Sequence, residues 1–111
     1  MASSIWHKVA GVMGASGVAL AAYGSHGFKP ADPHFKETFT RANQQQMYHA
    51  FLLALAPFSR RPNITGGLAL AGVLLFSGSC YASALMQDRK YGKLAPYGGF
   101  SFMAAWLSLL L

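Results

Sequence analysis

The chain has 111 residues, of which 53% are hydrophobic and 11% charged, and its three acids leave it a net charge of +6. An ordinary soluble domain carries about 25% charged residues, so the length of one domain comes here with a composition poorly suited to a water-facing surface. The nine Lys and Arg residues lie scattered between apolar blocks, which excludes the basic patch a nucleic-acid partner would need and favours lipid head groups.

The first predicted helix covers residues 5–24. No charge or histidine interrupts Val9 to Ser25, and Trp6, His7 and Lys8 suit an interfacial anchor. Met1 to Val9 contain no arginine and run straight into the apolar block, so they read as an uncleaved helix start rather than a cleavable targeting peptide. Ala10, Gly14, Gly17, Ala21 and Gly24 form a stripe of small residues facing one partner helix. Tyr23 to Phe28 close this helix, and Lys29 to Pro33 make a turn in which Asp32 is placed to cap the next helix, with Pro33 in its first turn.

The second predicted helix, residues 34–58, is interfacial in its first half and inserted in its second. It is the most polar of the four, with Gln44, Gln45, Gln46 and His49 near its middle. A surface or shallow re-entrant placement is the alternative. Ser59 to Asn63 form a short basic turn.

The third predicted helix, residues 64–86, organises the rest. No charged side chain or histidine occurs between Pro62 and Gln87, and a helix of this length spans roughly 35 Å, enough for a ~30 Å hydrocarbon core. Gly67, Ala71, Gly78 and Ala82 lie on one small-residue stripe. Thr65, Gly72, Ser79 and Ser83 lie on a second, about 100° away. Two such stripes predict a central helix with a neighbour on each. Its single cysteine, Cys80, rules out an internal disulfide and reads as a small buried hydrophobe. The fourth predicted helix, residues 94–111, starts with Pro96 in its first turn and carries Gly98, Ser101, Ala105 and Ser108 as a further stripe.

The expected fold is therefore all-α: one domain, residues 1–111, built as an integral-membrane four-helix bundle. Lys29, Lys36, Arg41, Arg89, Lys90 and Lys93 flank one side, against Lys8, Arg60 and Arg61 on the other. The positive-inside rule then places both termini away from the cytoplasm or matrix.

His26, Gln45, Gln46 and His49 are the candidate polar cluster at membrane depth, with His26 approaching the Gln/His face across the antiparallel pair. Such residues invite a proton relay, a small-molecule pocket or a bis-histidine site. The competing reading is hydrogen bonding between helices. Two histidines without a third ligand make a weak metal signal, the carboxylates cannot pair within the bundle, and no phosphate loop is present. No enzyme, cofactor or metal is expected.

Trp6-His7-Lys8-Val9, Tyr23-Gly24-Ser25-His26-Gly27, Tyr48-His49-Ala50, Leu75 to Tyr81 and Leu94 to Phe100 follow one another in an order that resembles the transmembrane protein 256 / domain of unknown function 423 family. Asp88-Arg89-Lys90 and Ala104-Ala105-Trp106 are most similar to its plant and algal branch. The resemblance implies four membrane helices in a mitochondrial or bacterial inner membrane and supplies no catalytic residues. The expected role is that of a non-enzymatic accessory or assembly component of a larger, respiratory complex, with membrane lipids and other integral subunits as partners. The alternative is a small carrier using His26, Gln46 and His49.

Overall fold

A computed structural model describes residues Ala2–Leu111, with side chains from Ser4 onward; Met1, the first residue of the expected domain, lies outside the described residues. Four helices follow one another: α1 (Ala2–His26), α2 (Pro33–Leu55), α3 (Pro62–Met86) and α4 (Ala95–Leu107). The long axis measures 46 Å, close to the ~40–45 Å of a bilayer with its head groups. α1 and α3 are each long and apolar enough to cross a membrane. α2 keeps Lys36, Glu37 and Arg41 near its start, and α4 is short, ending in a 3-10 turn at Ser108–Leu110.

Local chemistry sets the boundaries. Asp32 caps α2 by accepting a hydrogen bond from His34 N–H at 2.9 Å, with Pro33 in the first turn as expected. α2 stops at Leu55, because Pro57 tightens the chain into a 3-10 turn, Ala56–Phe58. α3 begins two residues earlier than expected, at Pro62, whose missing N–H costs nothing in a first turn. It ends at Gln87, which adopts the left-handed conformation (φ 51°) so that Asp88 N–H can reach Ser83 O at 3.1 Å. Asp88 then caps the short 3-10 turn Arg89–Gly92.

α3 is the central helix: 44% of its apolar span is buried, against 6% for α1. It meets α2 through Ser77, α4 through Gly72 and Ser101, and α1 through Trp6. Trp6 is more than an interfacial anchor. Its ring lies over Gly66, and its Nε1 donates to Asn63 Oδ1 at 3.0 Å.

The contacts of α3 differ from the first predicted stripe. Gly67, Ala71 and Ala82 are half-buried and Gly78 is exposed. A Cβ on Gly67 would meet nothing within 4 Å. The buried face runs instead through Thr65, Gly66, Ala69 and Gly72, then Ser77, Cys80 and Ala84, with Ser79 and Ser83 beside it. Val73–Ser77 form a π turn, closed by Gly78 N–H on Val73 O. The extra residue in that turn resets the helical phase, so a 3.6-residue count from the start no longer applies beyond it.

On α1, Gly17 is buried beneath Met47 and Gly24 beneath Phe39, while Ala21 is half-buried and Gly14 opens onto a groove. On α4, Gly98 and Ala105 are buried and Ser101 is half-buried, all facing α3. Two clusters fill the interior. Ala10, Leu52, Leu53, Ala69 and Ala105 lie toward the termini, and Phe28, Phe35, Phe39 and Ala84 lie toward the loops.

Candidate functional site

The α1–α2 pair is held in register by polar side chains of α2 that donate to backbone carbonyls of α1. Lys36 Nζ reaches Gly24 O, and also Phe28 O at 2.9 Å, so a cation covers the free carbonyls at the C-terminus of α1. Asn43 Nδ2 donates to Gly17 O at 2.8 Å. Lys36 and Asn43 are seven residues apart on α2, as Gly17 and Gly24 are on antiparallel α1. The carbonyl of a glycine is unshielded by a side chain, which lets the donor approach.

Gln46 extends this ladder toward α3. Its Nε2 donates to Met13 O and to Ser16 Oγ, each at 2.9 Å, and its Oε1 accepts from the Tyr81 hydroxyl at 2.6 Å. Asn43 Nδ2 also donates to Tyr81 Oη at 3.3 Å, which links three helices.

His49 faces α4. The carbonyl of Gln45 can only accept, so Nδ1 of His49 carries the proton and donates to it at 2.7 Å. Nε2 is then the acceptor for Trp106 Nε1–H at 3.1 Å. The ring stacks on Phe102, with centroids 3.4 Å apart and planes 10° from parallel. Both ring nitrogens are used, and the neutral tautomer is held by its neighbours.

Of the four candidates, Gln46 and His49 are 3% and 4% exposed, Gln45 is half-buried, and His26 is exposed at the end of α1. His26 does not join the cluster. Met13 is the α1 residue beside Gln46, and thirteen residues of helix separate it from His26, about 20 Å. The antiparallel register, set by Lys36 and Asn43, carries the helix end away from the middle of α2.

Gln46 and His49 share a face of α2, yet Gln46 finds its partners on α1 and α3 and His49 on α4 and its own helix. Among the described residues, no buried side-chain nitrogen or oxygen lacks a partner, and no three His, Cys, Asp or Glu side chains gather as a metal-holding group. Four surface recesses of the bundle are lined by residues other than Gln46 and His49.

Asn43, Ser16, Tyr81 and Trp106 were missing from the predicted cluster. The signal for Asn43 was present, since its seven-residue spacing from Lys36 mirrors Gly17 and Gly24. For Tyr81 and Trp106 there was none, because aromatic rings on apolar helices look alike whether they donate or not. Other interhelical contacts repeat the same device. Ser77 Oγ donates to Ala42 O at 2.7 Å, Ser101 Oγ to Leu68 O at 2.6 Å, and Thr65 Oγ1 to Ser108 Oγ at 2.6 Å.

Apolar helices joined by internally satisfied polar groups define a small polytopic helical membrane protein. The family model described as "Protein of unknown function (DUF423)" matches residues 20–99, and the chain belongs to that family. It is 33% identical to a UPF0382 membrane protein of Schizosaccharomyces pombe, over 97% of this chain and 99% of the relative. It is 32% identical to a UPF0382 membrane protein of Staphylococcus aureus (85% and 82% covered) and to the UPF0382 membrane protein YwdK of Bacillus subtilis (85% and 83%). No solved structure matches the chain. Yeast and bacterial relatives alike are named as membrane proteins, and none of these names assigns a reaction.

Proposed function

We propose that this chain is a non-enzymatic accessory or assembly component of a larger respiratory complex in an energy-converting membrane, the mitochondrial inner membrane or its bacterial counterpart. The observation that carries the reading is a division of labour on the helix surfaces. The polar groups are consumed inside the bundle, while small residues are left open outside it. Gly11 and Gly14 on α1, Gly67 on α3 and Gly99 on α4 could each carry a Cβ that meets nothing within 4 Å. Between α1 and α2 a groove of about 390 Å³ is floored by Ala10, Gly11, Gly14 and Ala50. Small residues let a further helix approach closely, and the van der Waals packing this allows is one of the forces that associate helices in lipid.

The carrier alternative draws no comparable support, because a ligand at Gln46 or His49 would first have to break hydrogen bonds that are already complete. The test is purification in mild detergent from the native membrane, followed by native electrophoresis and mass spectrometry. Co-migration with other integral subunits is expected. Recovery solely as a free monomer or small homo-oligomer overturns the proposal.

A further inference from the structure

α2 carries one pair of opposite charges that the bundle does not use. Glu37 and Arg41 are exposed, one helical turn apart, and border a recess of about 260 Å³ with Lys36 and Thr40. An i, i+4 pair in this order ordinarily attracts. Here, among the described residues, neither side chain has an ion-pair or hydrogen-bond partner, and the ion pair that does form joins Lys90 to Asp88. Lys36 is already committed to Gly24 O and Phe28 O, and Thr40 Oγ1 donates to Lys36 O at 3.0 Å. The free charges at the recess are therefore one carboxylate and one guanidinium.

Their depths differ in a definite order. Phe35 and Phe39 share one buried cluster with Ala84, and the Phe39 ring meets Tyr81, so the first turns of α2 are level with the last turns of α3. Counted from Pro33 at 1.5 Å per residue, Glu37 lies about 6 Å and Arg41 about 12 Å along the helix toward the membrane interior. Helical side chains tilt toward the N-terminus, which for α2 is the water side, so Arg41 can snorkel to the head-group layer from within the hydrocarbon. A cation below an anion is the mirror image of a zwitterionic phospholipid, whose phosphate lies deeper than its ammonium.

We propose that the Glu37–Thr40–Arg41 face binds the head group of an ethanolamine phospholipid in the leaflet at the loop end of the bundle. Arg41 takes the phosphate oxygens through its planar fork, and the primary ammonium donates to the Glu37 carboxylate. A choline head group has no N–H to donate. A glycerol head group has no cation for Glu37.

The test is native mass spectrometry of the full-length, delipidated protein in detergent with equal amounts of dioleoyl phosphatidylethanolamine, phosphatidylcholine and phosphatidylglycerol. Exposed pairs are worth up to ~1 kcal/mol, so ethanolamine lipid should be retained about three- to fivefold over choline lipid. Glu37→Gln should bring that ratio close to one. Arg41→Gln should weaken retention of all three lipids. Stepwise N-methylation of the ethanolamine lipid should lower its retention on the unaltered protein, a readout that needs no variant. Soluble O-phosphoethanolamine at the lipid's concentration should displace nothing. Equal retention of the three lipids, an unchanged preference in Glu37→Gln, a flat methylation series or displacement by the soluble amine would each overturn the assignment.

Discussion

Gln46 would be costly in hydrocarbon if any of its polar atoms were idle, and none is. Interhelical hydrogen bonds of this kind contribute about 0.6 kcal/mol on average and up to ~1.7. Gln46→Leu removes three at once and leaves the Tyr81 hydroxyl without its acceptor. It should lower unfolding free energy in detergent by about 1–2 kcal/mol. Tyr81→Phe in the same chain should then cost less than it does alone, with a coupling of about 0.5–1.5 kcal/mol in a double-mutant cycle. Additive losses would mean that the two residues act separately.

Neighbouring glycines on α4 make a second test. A Cβ on Gly98 would run into the backbone nitrogen of Phe76, whereas one on Gly99 would meet nothing within 4 Å. Backbone cannot swing aside as a flexible side chain can, so Gly98→Ala should part α3 from α4 and cost about 1–3 kcal/mol. Gly99→Ala should be neutral to slightly stabilising, by up to ~1 kcal/mol, when the unfolding of both variants is compared in one detergent.

At the scale of the element, the π turn in α3 decides which residues meet α2 and α4. Deleting one residue from such a turn restores ordinary helix without rotating the flanks. Removal of exposed Leu74 should therefore keep the Ser77–Ala42 and Thr65–Ser108 contacts and still yield a folded protein. Removal of Ala82, beyond the turn, drags Ser83 and Ala84 about 100° off their buried positions and should abolish cooperative unfolding. Size-exclusion profiles and melting curves of the two deletions in one detergent provide the comparison.

Much of this element level was legible beforehand. Asp32 and Pro33 announced the start of α2 through their capping chemistry, and the uncharged run after Pro62 announced α3. The π turn carried no signal, since Val73 to Ser77 would also fit an unbroken α-helix.

For the whole molecule, the loop end carries Lys29, Arg89, Lys90 and Lys93 in addition to Lys36 and Arg41, whereas the end with the termini carries Lys8, Arg60 and Arg61. The first turns of α1 and Leu111 share that end, where Trp6 donates to Asn63 and Arg60 donates to Leu111 O at 3.2 Å. With Cys80→Ala as background, Leu111→Cys should react with an impermeant maleimide from the non-cytoplasmic side. Ala31→Cys should react only after permeabilisation. The reverse pattern would show that the charge difference does not set orientation.

Composition and hydrophobic run lengths were enough to determine the solvent and the number of helices, because these depend on what each segment can expose to lipid; several ends differed, α2 stopping at Leu55 rather than Phe58 and α4 at Leu107 rather than Leu111. The packing faces and the polar partners were settled only by tertiary structure. A helical period says that small residues share a face, but not which neighbour will press on it: Gly66 rather than the expected Gly67 receives Trp6, although on α4 the expected Gly98 does receive Phe76. His26 and His49 looked equally available as residues near the membrane, until the antiparallel register of α1 on α2 put one at an exposed helix end and locked the other between Gln45 and Trp106. That register depends on pairings between distant parts of the chain, which local periodicity does not encode.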